Sequence, residues 1–203
     1  MRYRYNEVNL HTHSYYCRHG KGEIVDYVNV AKAKGLLKVL GFSEHAPLPD
    51  RTLDYGTRMA YSELDDYERD VKRADGRGGI KVLLGAECDW IEDEAGYYRD
   101  ELLGERGYSY LLGSVHSMVS PVTGLDTYIS RIGIAFRPML PEYVRKYTKM
   151  LSSGLFLYGC HPDLYMADYR LWDENAKAAA KDIGECAKDC GVPLEMNDNG
   201  LRK

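Results

Sequence analysis

The sequence predicts a parallel α/β fold of about six βα units, arranged as a barrel or barrel-like sheet. Two patterns predict it. Short apolar runs alternate with longer stretches of helical periodicity, and a histidine or an acid follows the end of each apolar run. Length sets the bound. At 203 residues the chain suffices for one well-buried domain, residues 1–203, yet falls short of the about 250 residues of a complete eight-stranded barrel.

The apolar runs cover residues 5–10, 36–42, 80–86, 108–115, 154–160 and 192–196, and we read them as strands. Between them, residues 23–34, 61–73, 97–106, 141–151 and 173–190 have helical periodicity. Pro141 falls in a first helical turn and Gly191 just past a last one, the asymmetry expected of helix ends. Residues 117–137 read as a longer loop, and loops of that length are often functional.

Composition excludes several classes. The net charge of -4, with no basic stripe, gives no support for nucleic-acid binding. A small anionic substrate stays compatible, because a bound metal supplies local positive charge that the global count hides. No apolar stretch approaches the roughly 20 residues of a membrane span, and the N-terminal MRYRYNEVNL lacks the apolar core of a signal peptide. Five cysteines, an odd number without paired CxxC spacing, read as reduced thiols of a cytoplasmic protein. Cys186 and Cys190 share one face of a predicted helix, a spacing that does not by itself make a disulfide. The 18 tyrosines read as core or rim residues.

The chemistry gathers after the strands. The first runs into His11-Thr12-His13, the second into Ser43-Glu44-His45, the third into Glu87-Cys88-Asp89. The fourth runs into His116, the fifth into His161-Pro162-Asp163 and the sixth into Glu195-Met196-Asn197; His19 lies in the loop after the first. In βα barrels every strand end delivers side chains to one shared mouth. His11 and His13 fall on one face of an extended segment, because side chains alternate with period two, so both imidazoles can grip one ion. Imidazole with carboxylate suits zinc, iron and manganese, and a bridging acid suits two or three ions close together.

Plainer roles fit the neighbours. Cys17, Cys88 and Cys160 read as small core residues. Glu44 and Asp163 read as helix caps or as partners orienting a histidine. Asp89 and residues 92–94 read as a solvated rim, and residues 177–181 as a solvated helix face. Of Arg18, Arg170 and Arg202, the last is the strongest candidate for binding substrate, since it follows a strand end beside a glycine.

Assembled, these residues resemble the PHP (polymerase and histidinol phosphatase) superfamily, and within it the histidinol-phosphate phosphatases. The resemblance is carried by Asn9-Leu10-His11-Thr12-His13-Ser14, Cys17-Arg18-His19, the run from Gly41 to Pro49, Gly85-Ala86-Glu87, the run from Gly113 to Ser117, His161-Pro162-Asp163 and Glu195-Met196-Asn197. It implies a distorted (β/α)7 TIM-like barrel with two or three divalent metal ions, zinc, manganese or iron. It implies that His11, His13 and a bridging Glu87 hold one ion; that Glu87, His116 and His161 hold a second; and that His19 and His45 hold a third. Arg202 would bind the phosphate. Members of this family end in an Asp-x-His motif after a seventh strand, and no Asp-x-His occurs here, so we expect a barrel truncated at the C-terminus. Its open seam would invite cover by a second copy of the chain.

The activity implied is hydrolysis of a small phosphomonoester, L-histidinol phosphate to L-histidinol and phosphate, in histidine biosynthesis. Water activated by the metal centre, through Glu87, His116 and His161, would attack phosphorus in line with the leaving oxygen. The alternatives are another phosphoesterase of the superfamily acting on nucleotides, and a catalytically impaired metal-binding relative.

Overall fold

The structure, a computed structural model, describes residues 4–49 and 56–197. The chain divides into two compact units, Met1–Glu87 with Leu102–Leu111, and Cys88–Glu101 with Leu112–Lys203.

In the first unit, β1 (Val8–Asn9) leads through a 3-10 turn at Tyr15–Cys17 to α1 (Ile24–Lys34) and β2 (Val39–His45). There α2 (Leu64–Ala74), β3 (Lys81–Asp89) and the start of β4 (Tyr110–Ser114) follow. β2 is buried at every position, the continuous pattern of a parallel strand covered on both faces. Its register is parallel to β1 at Val8–Val39 and to β3 from Val39–Lys81 through His45–Glu87. Helix α2 buries Leu64, Tyr67, Val71 and Ala74, spaced three and four apart, which places one apolar stripe on the core. Helix α1 ends at Gly35, whose φ of 65° lets its N–H close onto the last carbonyls. Tyr110 lies across Gly41 and Gly85, where an added Cβ would come within 2.1 Å and 2.3 Å of the tyrosine. Only glycine fits at both places.

In the second unit, a hairpin of β5 (Ser117–Val119) and β6 (Asp126–Tyr128) precedes α3 (Leu140–Ser152), β7 (Tyr158–Gly159), α4 (Met166–Tyr169) and α5 (Glu174–Cys190). Pro141 sits in the first turn of α3, the Asp173 carboxylate caps α5 by accepting from Ala176 N–H, and Gly191 closes it at φ 67°. Helix α5 buries the small Ala176, Ala179 and Ala187 with Ile183, and α3 packs closely against it. β4 and β7 pair in parallel at Leu112–Tyr158 and Gly113–Gly159. The strand order of the sheet is β1-β2-β3-β4-β7, and β5 with β6 form a separate antiparallel pair.

Two strands end later than their apolar runs, while β1, β4 and β7 are shorter than theirs. β2 carries on through Ser43, Glu44 and His45, and β3 through Glu87, Cys88 and Asp89. The ladder holds these polar residues in the sheet because their backbones pair regardless of side chain. Residues 117–137 are not a plain loop, since they contain the β5–β6 hairpin and part of a 3-10 segment at Gly133–Met139. Residues 192–196 make a single bridge, Gly159 to Leu194, in place of a strand, and Pro193 within them has no N–H to give a ladder. The helix expected at 97–106 is a wide π-helical turn, Tyr97–Glu105. Among the described residues no helix is long and apolar enough to cross a membrane.

Candidate metal centre

In the first unit the site grows out of strand register. Past β1 the chain stays alongside β2: Ser43 N–H donates to Thr12 O at 3.0 Å, and Thr12 N–H donates to Ser43 Oγ at 3.1 Å. Extension sends Thr12 into the core and turns His11 and His13 together to the other face. The parallel register then sets His45 opposite Glu87. His11 Nε2, His13 Nε2 and Glu87 Oε2 form a triangle with all three sides 3.1 Å. His45 Nδ1 lies 3.3 Å from the same Glu87 oxygen, and Glu87 is 1% exposed.

Three lone-pair atoms this close repel one another unless a proton or a cation lies among them. Nitrogen and oxygen ligands about 2.0–2.2 Å from a common ion stand about 3.0–3.6 Å apart, so this triangle fits a divalent cation.

A second layer holds the first. Glu44, fully buried, accepts from both the N–H and the hydroxyl of Ser14 at 2.6 Å through Oε1. Its Oε2 lies 3.7 Å from His13 Nδ1; both atoms are buried and neither makes a hydrogen bond. Glu44 thus bonds Ser14 and lies beside His13 without a hydrogen bond to it. The left-handed Arg18, at φ 66°, turns the chain so that His19 comes back towards His13 and His45, with ring centroids 5.0 Å and 5.2 Å away. Cys17 Sγ donates to Ser14 O at 3.0 Å and lies 3.8 Å from His19 Nε2. Burial opposes charge on His13, but Cys17, Glu44 and Glu87 outweigh it and raise its pKa to about 11. Burial likewise opposes a Cys17 thiolate, yet His13 and His19 beside it bring that thiol down to about 7.

The second unit carries its own histidine pair. His116 Nε2 and His161 Nε2 lie 3.2 Å apart. Asp89 Oδ1 lies 2.8 Å from His116 Nδ1 and accepts from His116 N–H at 2.9 Å. Asp89 is therefore no solvated rim residue: it is 4% exposed and directs Nε2 of His116 outward from the carboxylate. The cause lies in β3, which keeps Asp89 inside the sheet two residues beyond Glu87. His161 has a left-handed φ of 30°, held by its N–H donating to Glu195 Oε2 at 3.0 Å. On β6, Tyr128 stacks on the His116 ring at 5.5 Å and 14°. Asp163 is exposed, in the turn before α4.

The tyrosines have a shared task that composition did not show. Tyr67 donates to Gly85 O at 2.8 Å, Tyr98 to Asp89 O at 2.6 Å, Tyr110 to Leu10 O at 2.7 Å and Tyr147 to Cys160 O at 2.7 Å. Each of these carbonyls lies at or within two residues of Glu87, Asp89, His11 or His161. A buried carbonyl is stabilised by each donor that reaches it. A tyrosine reaches it while its ring fills the core.

Of the expected site residues, the first unit brings together His11, His13, His19, His45 and Glu87, and the second brings together His116 and His161. Arg202 lies outside the described residues. The sequence pattern missed Asp89 and Tyr128; no signal would have found Tyr128, which a long-range hairpin brings in.

Comparison with known proteins decides the family. The profile of the PHP domain matches residues 9–199. The chain belongs to the PHP domain family. The histidinol-phosphatase of Bacillus subtilis (strain 168) is 32% identical over 220 residues, covering 95% of this chain and 81% of that protein. The probable histidinol-phosphatase of Schizosaccharomyces pombe is 27% identical over 159 residues, 74% of this chain, and the chain covers about half (48%) of that relative's length. Among solved structures, a putative histidinol phosphatase from Listeria monocytogenes superposes with a TM-score of 0.74 at 17% identity, over 92% of this chain and 80% of that one. The histidinol phosphate phosphatase of Lactococcus lactis, solved with zinc, L-histidinol and phosphate, gives 0.73 at 15% identity, over 95% and 73%. This PHP chain shares their α/β fold, and its parallel five-stranded sheet matches an incomplete TIM-like fold of the PHP type.

Proposed function

We propose that this PHP protein is a metal-dependent phosphomonoester hydrolase whose substrate is L-histidinol phosphate, converted with water to L-histidinol and phosphate. The observation that carries the reading is the triangle of His11 Nε2, His13 Nε2 and Glu87 Oε2, a donor set built for a divalent cation. The substrate rests on the relatives, which are named histidinol-phosphatases on 95% and 74% of this chain.

The residues that would hold the ions are His11, His13, His19, His45, Glu87, His116 and His161, and the ions are two or three zinc, manganese or iron. When bound, such ions supply Lewis-acid charge and bring the pKa of water near neutrality. The protein's own groups do the rest. Glu87 presents one oxygen to three imidazoles and neutralises part of the imported charge. Asp89 holds His116 in the tautomer with Nδ1 protonated, leaving Nε2 with a lone pair. Arg202 is the candidate to grip two phosphate oxygens through its planar fork. The protein acts in the cytoplasm, in histidine biosynthesis, as one domain, with a second copy of the chain as a candidate partner.

The test is metal content and turnover on one preparation, with a panel of L-histidinol phosphate, nucleoside monophosphates and single-stranded DNA. Two or three equivalents of metal with preference for histidinol phosphate support the reading. Metal-loaded protein turning over nucleotides, and not histidinol phosphate, overturns the substrate.

A further inference from the structure

Two thiols and a hydroxyl come together where the last turn of α5 meets the end of α3. Cys186 and Cys190 are one helical turn apart and both are free thiols, the first half-buried and the second exposed. Their sulfurs are 3.9 Å apart. Ser152, the last residue of α3, places its Oγ 3.7 Å from Cys186 Sγ and 3.5 Å from Cys190 Sγ. That hydroxyl also donates to Thr148 O at 2.9 Å, which fixes its rotamer and leaves its lone pairs towards the two sulfurs.

These three edges match one face of a metal tetrahedron. With metal–sulfur bonds of about 2.3 Å and metal–oxygen bonds of about 2.1 Å, a tetrahedral ion has S···S of about 3.8 Å and S···O of about 3.6 Å. A disulfide fits less well, because it needs the sulfurs at about 2.04 Å with a fixed dihedral, and that would pull two side chains of one helix face out of their rotamers. Cys186 Sγ also donates to Thr148 O at 3.6 Å, a weak thiol bond that ligation of a thiophilic cation would replace.

We propose that Cys186, Cys190 and Ser152 form a surface site for a thiophilic divalent d10 cation, zinc or cadmium, with its fourth vertex open to solvent. Binding exchanges two S–H bonds for two metal–thiolate bonds and releases two protons to buffer. Burial raises the pKa of Cys186, and the site therefore fills more tightly as pH rises. The cation would tie the end of α3 to the end of α5, two helices whose packing forms much of the second unit. The site is independent of the histidine centre and of its activity.

The experiment is a titration of the full chain with cadmium, followed by thiolate-to-cadmium charge-transfer absorbance and by cadmium-113 NMR. The wild-type protein should show one cadmium with sulfur-rich ligation, and this signal should vanish in the C186S/C190S double variant. Either single serine variant should bind that equivalent at least tenfold more weakly, and S152A several-fold more weakly. Cys190 and Ser152 are exposed and Cys186 half-buried, and circular dichroism of the variants checks the fold. The proposal falls if the double variant keeps the sulfur-rich signal, which would then come from Cys17, Cys88 or Cys160. It also falls if the wild-type protein shows only nitrogen- and oxygen-ligated cadmium.

Discussion

Asp89 Oδ1 lies 2.8 Å from His116 Nδ1 and takes the backbone N–H of the same residue at 2.9 Å. One carboxylate thus fixes both the position and the tautomer of a histidine that faces His161 across 3.2 Å. Replacing Asp89 by alanine should lower metal affinity or turnover by about 10–100-fold, the usual cost of losing such a partner. Asparagine keeps an acceptor and should recover part of the loss. Equal loss in both variants, or none in either, would refute a positioning role; isothermal titration with zinc and kinetics on histidinol phosphate distinguish these cases.

Glu87 faces three imidazoles with one oxygen, so its removal should be the most damaging single change in the centre. Glu87→Gln, similar in shape, should lose at least about one metal equivalent and reduce turnover about 100-fold or more. Metal analysis together with circular dichroism separates this from unfolding.

His13 supplies a pH dependence with a definite sign. Its pKa in the metal-free fold is raised from 6.5 to about 11, so the stability it adds is fully present below about 6.5 and is lost as pH rises towards 11. Urea titrations of chelator-treated protein should show stability declining from pH 6.5 to 10, more steeply than in His13→Asn. Metal binding has the opposite trend, because His13 must release its proton to ligate. Apparent zinc affinity should rise up to about tenfold per pH unit over the same interval. A metal affinity that fell with rising pH would contradict the assignment.

Tyr147 tests the role of the buried hydroxyls. Tyr147→Phe keeps the ring and leaves the Cys160 carbonyl, one residue before His161, without its donor. The expected loss is about 1–3 kcal/mol in denaturant unfolding, with a weaker zinc affinity as the strand end relaxes. Tyr67→Phe should show the same stability loss at Gly85, two residues before Glu87.

Gly85→Ala should be worse than its small volume suggests. An added Cβ would stand 2.3 Å from Tyr110 Cζ, and Tyr110 is pinned by its bond to Leu10 O. Destabilisation of about 1–3 kcal/mol, read as a lower midpoint in urea, is expected. Pairing it with Tyr110→Leu should recover much of the loss if the clash is the cause.

Much was legible in the chain because it is local. The period-two spacing of His11 and His13 places two imidazoles on one face in any extended segment, and the structure has them so. Alternation of apolar runs with helical stretches gave the parallel βα order, and Pro141 and Gly191 mark helix ends where they were expected. The candidate metal ligands follow apolar runs, where polar residues interrupt a buried pattern, a signal that one sequence carries by itself.

What the tertiary structure decided depends on register and on contacts far apart in the chain. Strand register alone puts His45 opposite Glu87, 42 residues away, and carries β3 on to bury Asp89, which looks like a rim residue in sequence. The hairpin that lays Tyr128 on His116, and the tyrosines that reach strand-end carbonyls, have no local period. Their positions are set by where buried carbonyls come within reach of a hydroxyl, and that is known only once the sheet has formed. The sequence therefore determined the candidate ligands and the order of the strands; folding decided which groups hold those side chains still.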